Sequence, residues 1–190
     1  MSPGASDADL FRVLSQYMYA NLEDPAIRAV LPQWLLQDPL RLGRAFELLV
    51  ARERRESMPR CLLHGDAHLG NSYFRADGSR IFIDFQLVTA GHAWRDLTYF
   101  LVGSLSIEDR RSAERELIEH YLERLAAHGA GGRLSFEKLW DEYRTWPVWG
   151  MVAWIGNLDK WGQATLPALE RFYTAAADHE TLKRLQAPLS

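Results

Sequence analysis

The stretch from His64 to Phe85 reads HGDAHLGN, then SYFRADGSR, then IFIDF, and it constrains this chain more than any other. Ser72 to Arg75 is a candidate strand. Ala76-Asp77-Gly78-Ser79 is a strong turn, and Arg80 to Phe85 is a second run rich in β-formers, so the segment predicts one β-hairpin. A hairpin returns the chain to its starting point. Asn71, just before the first strand, and Asp84, at the end of the second, are therefore brought to one place. Asp66 lies five residues before Asn71 and follows Gly65, whose missing side chain lets the loop turn sharply. Two carboxylates and an amide oxygen on adjoining loops form the oxygen-rich set that phosphoryl transfer needs. One carboxylate takes the proton of an acceptor hydroxyl, while an amide oxygen and a second carboxylate hold magnesium against nucleotide phosphates.

A lone Asp or Asn in a glycine-containing loop is ordinarily a turn former. Turn formation does not require HGD, an Asn five residues on, and an apolar strand ending in Asp. His64, two residues before Asp66, is expected to brace the loop by hydrogen bonding. His68 is expected either to contact phosphate or to pack. A competing reading takes His64, Asp66 and His68 as an alternating zinc-binding cluster of a zinc-dependent hydrolase, since zinc favours imidazole. No second well-spaced His or Cys group follows downstream.

With 190 residues, 47% hydrophobic and 12% aromatic, the chain can bury a core as one domain or two small ones. Its net charge of -3 gives no electrostatic footprint for a nucleic-acid backbone. The single cysteine, Cys61, lies in an apolar run and reads as a buried thiol in a reducing compartment. The N-terminal MSPGASDADLF has no basic segment followed by an apolar one, and no apolar run approaches the roughly 20 residues of a membrane span. The expectation is a cytoplasmic protein with no nucleic-acid or membrane partner.

Outside the hairpin the periodicity is helical. Asp7 or Asp9 caps a first helix with Leu10, Leu14, Tyr17 and Met18 on one face, ending near Asn21. Pro25, Pro32 and Pro39 confine any helix between Asp24 and Pro39 to short pieces. Asp38 as cap and Pro39 at the first position then open a helix through Leu42, Phe46, Leu49 and Val50 to about Glu56. After the hairpin, helices are expected from Trp94, from Ser106 with Asp109 to about His128, from Ser135 with a break at Pro147, and from about Leu166 to Leu185. Gly129 to Gly132 reads as a linker.

HGDAHLGN, IDFQLVTAGHAWRDLTYFL and the helical remainder together resemble the C-terminal lobe of the aminoglycoside phosphotransferase and choline kinase superfamily, nearest its ecdysteroid-kinase-like branch. The resemblance implies an α+β, mainly helical fold of the protein-kinase type, covering roughly residues 31–190 behind an N-terminal helical segment at 1–30. It implies transfer of the γ-phosphate of ATP, with Mg2+, to a hydroxyl of a small molecule. By the resemblance Asp66 is the catalytic base, Asn71 and Asp84 the magnesium ligands, and His64 and Gly65 structural members of the loop. Asp96 is the helix-start carboxylate that hydrogen-bonds the catalytic loop from beneath.

Members of that superfamily carry an N-terminal β-lobe with a phosphate-covering loop and a strand lysine. Lys138, Lys160 and Lys183 are the lysines here, all downstream of the motif. The expectation is a C-lobe with its N-lobe absent, completed by a separate N-lobe partner or self-associating over an exposed apolar surface. The alternative is a non-catalytic kinase-like binding module. Trp140, Tyr143, Trp146, Trp149, Trp154 and Trp161 follow the catalytic lobe where the superfamily builds its acceptor site, which makes Trp146 and Trp149 candidate substrate contacts. Helical spacing favours core packing for most of them. Glu142 and Asp159 are polar candidates that read as solvated surface.

Overall fold

In a computed structural model of the chain, the described residues are 7–58, 60–130 and 134–186. They divide into two units, one comprising the residues up to Glu56 and those from Pro147 onward, the other Ser57–Trp146.

The first unit is helical, and its prolines set where helices begin. α1 spans Asp7–Asn21, α2 Pro25–Val30, α3 Gln33–Gln37 and α4 Leu40–Arg55. The side chains of Asp9, Leu10 and Leu14, named above for α1, lie outside the described residues. Asp24 caps α2, accepting from the Ala26 and Ile27 N–H groups at 2.8 and 3.3 Å, with Pro25 at the first position. The same arrangement was expected at Asp38 and Pro39, but Pro39 itself occupies the cap of α4, and the Asp38 carboxylate accepts from Arg44 instead.

The return segment holds α8 Pro147–Gly156, α9 Leu158–Trp161, α10 Thr165–Asp178 and α11 Thr181–Gln186, while the second unit holds the intervening α5 Ala93–Ser104, α6 Ile107–Leu125 and α7 Phe136–Tyr143. Helix α8 is apolar on every side and packs against α1, α4 and α10. Its Val148, Met151, Val152 and Ile155 form the unit's core with Met18, Leu42, Phe46, Leu49, Leu169 and Phe172. Asn21 closes α1 onto α8 by donating to the Ile155 carbonyl at 2.7 Å. The single final helix expected to Leu185 is two helices, because Glu180 takes a left-handed backbone (φ 50°) between α10 and α11.

The second unit carries all of the β structure among the described residues. β1 Cys61–Leu63 pairs antiparallel with β4 Thr89–Gly91, and β2 Ser72–Phe74 pairs antiparallel with β3 Arg80–Phe82. β4 has no β-rich run of its own, and the sequence reading missed it. Cys61 is exposed at the start of β1 rather than buried as expected, in a strand whose burial begins only at Leu63. Helices α5, α6 and α7 pack on one another around Trp94, Val102, Ile118, Leu139 and Tyr143. Ser106 and Ser135 cap α6 and α7 as expected, accepting from the Asp109 and Lys138 N–H groups. Gly129 is left-handed (φ 83°) at the end of the α6 segment; Gly131 and Gly132 of the expected linker lie outside the described residues.

The contact between α8 and α10 turns on Gly150. A Cβ there would lie 2.1–2.4 Å from the Phe172 ring, so Gly150→Ala forces the two helices apart. It is expected to cost about 1–3 kcal/mol, as overpacking does, and to lower the Tm by roughly 2–10 °C for a chain of this size. At Gly78 an added Cβ meets nothing within 4 Å, and only its φ of 80° opposes a side chain. Thermal denaturation of Gly150→Ala beside Gly78→Ala checks this, with the larger loss at Gly150.

Candidate functional site

The site is built by the second unit alone, from the loop after β1, the hairpin, and the first turns of α5. Gly65 sits at φ 84°, a conformation L side chains rarely adopt, and a Cβ there would come 2.0 Å from the Leu87 carbonyl oxygen. The loop is held from beneath by Asp96 in the first turn of α5. Its Oδ2 accepts from the His64 N–H at 2.6 Å, and its Oδ1 from the Gly65 N–H at 3.2 Å. Burial raises the Asp96 carboxyl above its ordinary value, against the opposing pull of these two donors.

His64 ties this loop to the hairpin. Its Nε2 donates to the Ile83 carbonyl at 2.8 Å and its Nδ1 accepts from the Asp66 N–H at 3.3 Å, which fixes the tautomer with the proton on Nε2. The Phe82 and Phe85 rings flank it at centroid distances of 5.4 and 4.6 Å. Both ring nitrogens are therefore committed to backbone groups, one in the loop and one at the end of the hairpin. His64 cannot join His68 on one zinc ion without breaking these bonds. Among the described residues no group of three or more His, Cys, Asp or Glu side chains converges for a metal.

Asn71 sits at the end of a 3-10 turn, Leu69–Asn71, which His68 caps by accepting from the Gly70 N–H at 3.1 Å. The buried Asn71 amide donates through Nδ2 to both the Asp66 carbonyl (3.0 Å) and Asp66 Oδ2 (3.1 Å). Its Oδ1 has no protein hydrogen bond among the described residues and is available to a cation. The Asn71 carbonyl accepts from the Ile83 N–H at 2.9 Å, extending the β2–β3 ladder by one pair. The hairpin thus brings the Asn71 loop and the Asp84 segment together, as its turn predicts. The second strand ends earlier than expected, at Phe82, because Asp84 adopts a left-handed backbone (φ 61°, ψ 62°). Asp84 is exposed, with the Gln86 amide 3.5 Å away.

His68 is buried, its ring edge facing Tyr99 at 6.3 Å and its Nε2 3.7 Å from Asp66 Oδ2. Burial lowers its pKa below the ordinary 6.5, with Asp66 opposing. Sequence reasoning missed Tyr99, which is buried on α5 with its ring 6.3 Å from that of His68, burial first and the nearby Asp66 charge second raising its phenol above the ordinary value. The signal was present, because Tyr99 lies three residues after Asp96 and so on the same face of α5. Trp146 and Trp149 are both buried, the first in the second unit with the Arg95 guanidinium 5.8 Å from its ring, the second in the first unit against Phe46 at 5.6 Å. Glu142 is buried and bonded to Lys138 at 2.9 Å rather than solvated; the Asp159 side chain lies outside the described residues. A cavity of about 240 Å3 opens in the first unit, lined by Asp38, Arg41, Arg44 and Leu182 among others, and it shares no residue with this cluster.

Residues 3–146 match the phosphotransferase enzyme family. An uncharacterized kinase-like protein of Caenorhabditis elegans is 31% identical over 90 residues, covering 46% of this chain and 24% of that protein. The chain thus spans about a quarter of that relative's length. No helix among the described residues is long and apolar enough to cross a membrane.

Two outcomes follow. Asp96→Ala leaves the His64 and Gly65 N–H groups without their acceptor and is expected to cost about 2–4 kcal/mol, from roughly 1–3 for each stranded donor less what water recovers. Asp96→Asn keeps one acceptor oxygen and should cost less than half of that; urea denaturation of the two variants checks the order. For His68 the folded state favours the neutral ring. Its contribution to stability is intact above pH 6.5, the ordinary value, and declines as the pH falls from there toward the lowered value in the fold. His68→Gln should flatten that part of the profile, measured as denaturation midpoints between about pH 7 and 5.

Proposed function

The chain belongs to the phosphotransferase enzyme family, and from that premise we propose that it takes part in transfer of the γ-phosphate of ATP to a hydroxyl of a small molecule. The observation that carries the reading is the bond from Asn71 Nδ2 to Asp66 Oδ2, because it joins the proposed base to a proposed metal ligand on one rigid loop. Asp66 takes the proton of the acceptor hydroxyl as the acceptor oxygen bonds to the γ-phosphorus and the bond to the leaving ADP oxygen breaks. Its partial exposure, 23% of the side chain, leaves it open to an incoming hydroxyl.

Magnesium fits the donors present. The ion favours one or two carboxylates with phosphate oxygens, and Asn71 Oδ1 and the exposed Asp84 carboxylate supply one neutral and one charged oxygen. When bound, the ion neutralises charge developing on the phosphates. His64, Gly65 and Asp96 keep Asp66 in place relative to Asp84, which is where positioning contributes to the rate. His68 serves as a packing support for the same loop: it is buried, its Nδ1 accepts from the Gly70 N–H and its Nε2 lies 3.7 Å from Asp66 Oδ2.

We assign the phosphate cover and its cation to an element outside the described residues. The lysine nearest in sequence, Lys138, is already engaged with Glu142. Leu62, Tyr73, Phe74 and Phe85, each more than half exposed in the second unit, provide an apolar surface for such an element. Trp146 and Trp149 are assigned to cores rather than to the acceptor.

Isothermal titration of MgATP into the wild type and Asp84→Ala tests the reading. Binding by the wild type, weakened about ten-fold or more in the variant, is expected. Asp66→Asn should keep that binding and lose about 10²–10⁴-fold in phosphorylation across a panel of hydroxylated small molecules. Equal absence of binding in wild type and Asp84→Ala removes nucleotide chemistry from the chain on its own. Binding without turnover favours a kinase-like binding module.

A further inference from the structure

The first unit holds a cationic side chain that the fold leaves without a counter-charge. Arg41, in the first turn of α4, is half-buried, with its guanidinium 5.5 Å from the centre of the Trp34 ring. Among the described residues its side chain has no carboxylate or carbonyl partner. Arg44, three residues on, differs in donating to the Asp38 carboxylate. All three line the cavity of about 240 Å3 noted above. Positions 41, 44 and 48 recur at three and four residues, so α4 turns one face toward this space. Leu182 and Gln186, four apart on the packed helix α11, supply a second wall. Leu48 is 41% exposed there, an apolar side chain that the protein itself does not cover.

A guanidinium held over an indole is attracted to the ring face and loses freedom before any ligand arrives. Its planar fork of donors then matches the two oxygens of a carboxylate. Charge sets the valence of the ligand. Two arginines and one aspartate leave one net positive charge in the cavity lining, which one carboxylate balances. A phosphate group, carrying about 1.5–2 negative charges, exceeds that balance and meets Asp38 as well. A bare ion leaves Leu48 and Leu182 uncovered, whereas an apolar body removes them from water. We propose that this cavity binds a small monocarboxylate with a short aliphatic body, its carboxylate on Arg41 and its chain against Leu48 and Leu182. The site shares no residue with the Asp66 cluster and stands independently of the phosphotransferase reading.

Titration of butyrate into the full chain, followed by the nitrogen-15 NMR signal of the Trp34 indole N–H, reads occupancy beside Arg41. Saturation with a Kd of about 1–10 mM is expected, the range open to so small a ligand. Butyramide, neutral and of the same shape, should bind about ten-fold more weakly, and inorganic phosphate likewise. Arg41→Gln should weaken butyrate about ten-fold. Arg28→Gln, which removes an exposed arginine of the same unit lying 3.8 Å from Glu23, should leave it unchanged. Leu48→Ser, at an exposed position, should weaken butyrate about three-fold without affecting acetate, and it decides the matter where Arg41→Gln gives no folded spectrum. The assignment is overturned by the absence of a saturable shift with butyrate, by equal binding of butyramide or phosphate, or by equal effects of the Arg41 and Arg28 substitutions. An unchanged butyrate Kd in Leu48→Ser overturns the apolar part of the site.

Discussion

The candidate site depends on one carboxylate, that of Asp96, accepting from two consecutive backbone N–H groups. A loop that turns at a left-handed glycine cannot pair those donors within itself, and a buried donor without a partner costs about 1–3 kcal/mol. Asp96 satisfies both from the first turn of a packed helix, so the loop's position is referred to α5 rather than to its own flexible ends. The expense is visible in the same group. Burial raises the carboxyl even though two donors pull the other way, as expected where an ionised side chain is kept from water to serve a structural purpose.

His64 carries that anchorage onward. Its backbone N–H is held by Asp96, its Nδ1 receives the N–H of Asp66, and its Nε2 holds the carbonyl of Ile83. Three points on two loops are thereby referenced to one ring, which Phe82 and Phe85 keep from rotating. The same assignment separates this arrangement from a zinc cluster that the spacing of His64, Asp66 and His68 also suggested. A ring with both nitrogens committed to backbone groups is a brace, and geometry decides between readings that residue types alone leave open.

Much of the site was legible because its parts are close in sequence or joined by a turn with a strong local signature. Asp77 accepting from Ser79 N and Oγ, and Gly78 at φ 80°, are what Ala76-Asp77-Gly78-Ser79 encodes, and the register they set brings Asn71 to Ile83. The helix caps at Ser106 and Ser135 were equally readable, whereas at the start of α4 Pro39 takes the cap expected of Asp38. The misses share a different cause. β4 is defined by its pairing with β1, the exposure of Cys61 by its place at the start of that short ribbon, and the burial of Glu142 by its place among packed helices. None of these is a local property. The packing of Tyr99 on His68 lies between the two cases, since its spacing from Asp96 is local but its ring partner is thirty-one residues away.

The two carboxylates of the proposed half-site are held by opposite means, and the difference suits their assigned tasks. Asp66 is fixed through its side chain by the Asn71 amide, as a base must be if it is to meet a hydroxyl in one orientation. Asp84 is fixed through its backbone. Ile83, the residue before it, is bonded at both polar groups, its N–H to the Asn71 carbonyl and its carbonyl to His64 Nε2. With both ends of that peptide committed, the chain leaves the hairpin in a single direction, and Asp84 takes a left-handed conformation that costs a non-glycine residue on the order of 1–3 kcal/mol. Aspartate tolerates that region better than most residues, so the strain is moderate, and the bonds at Ile83 offset it. The outcome is a carboxylate whose main chain is rigid while its side chain stays exposed. A ligand for an ion that arrives and leaves with a nucleotide requires this combination, because the position must be set in advance while the oxygens remain open to exchange.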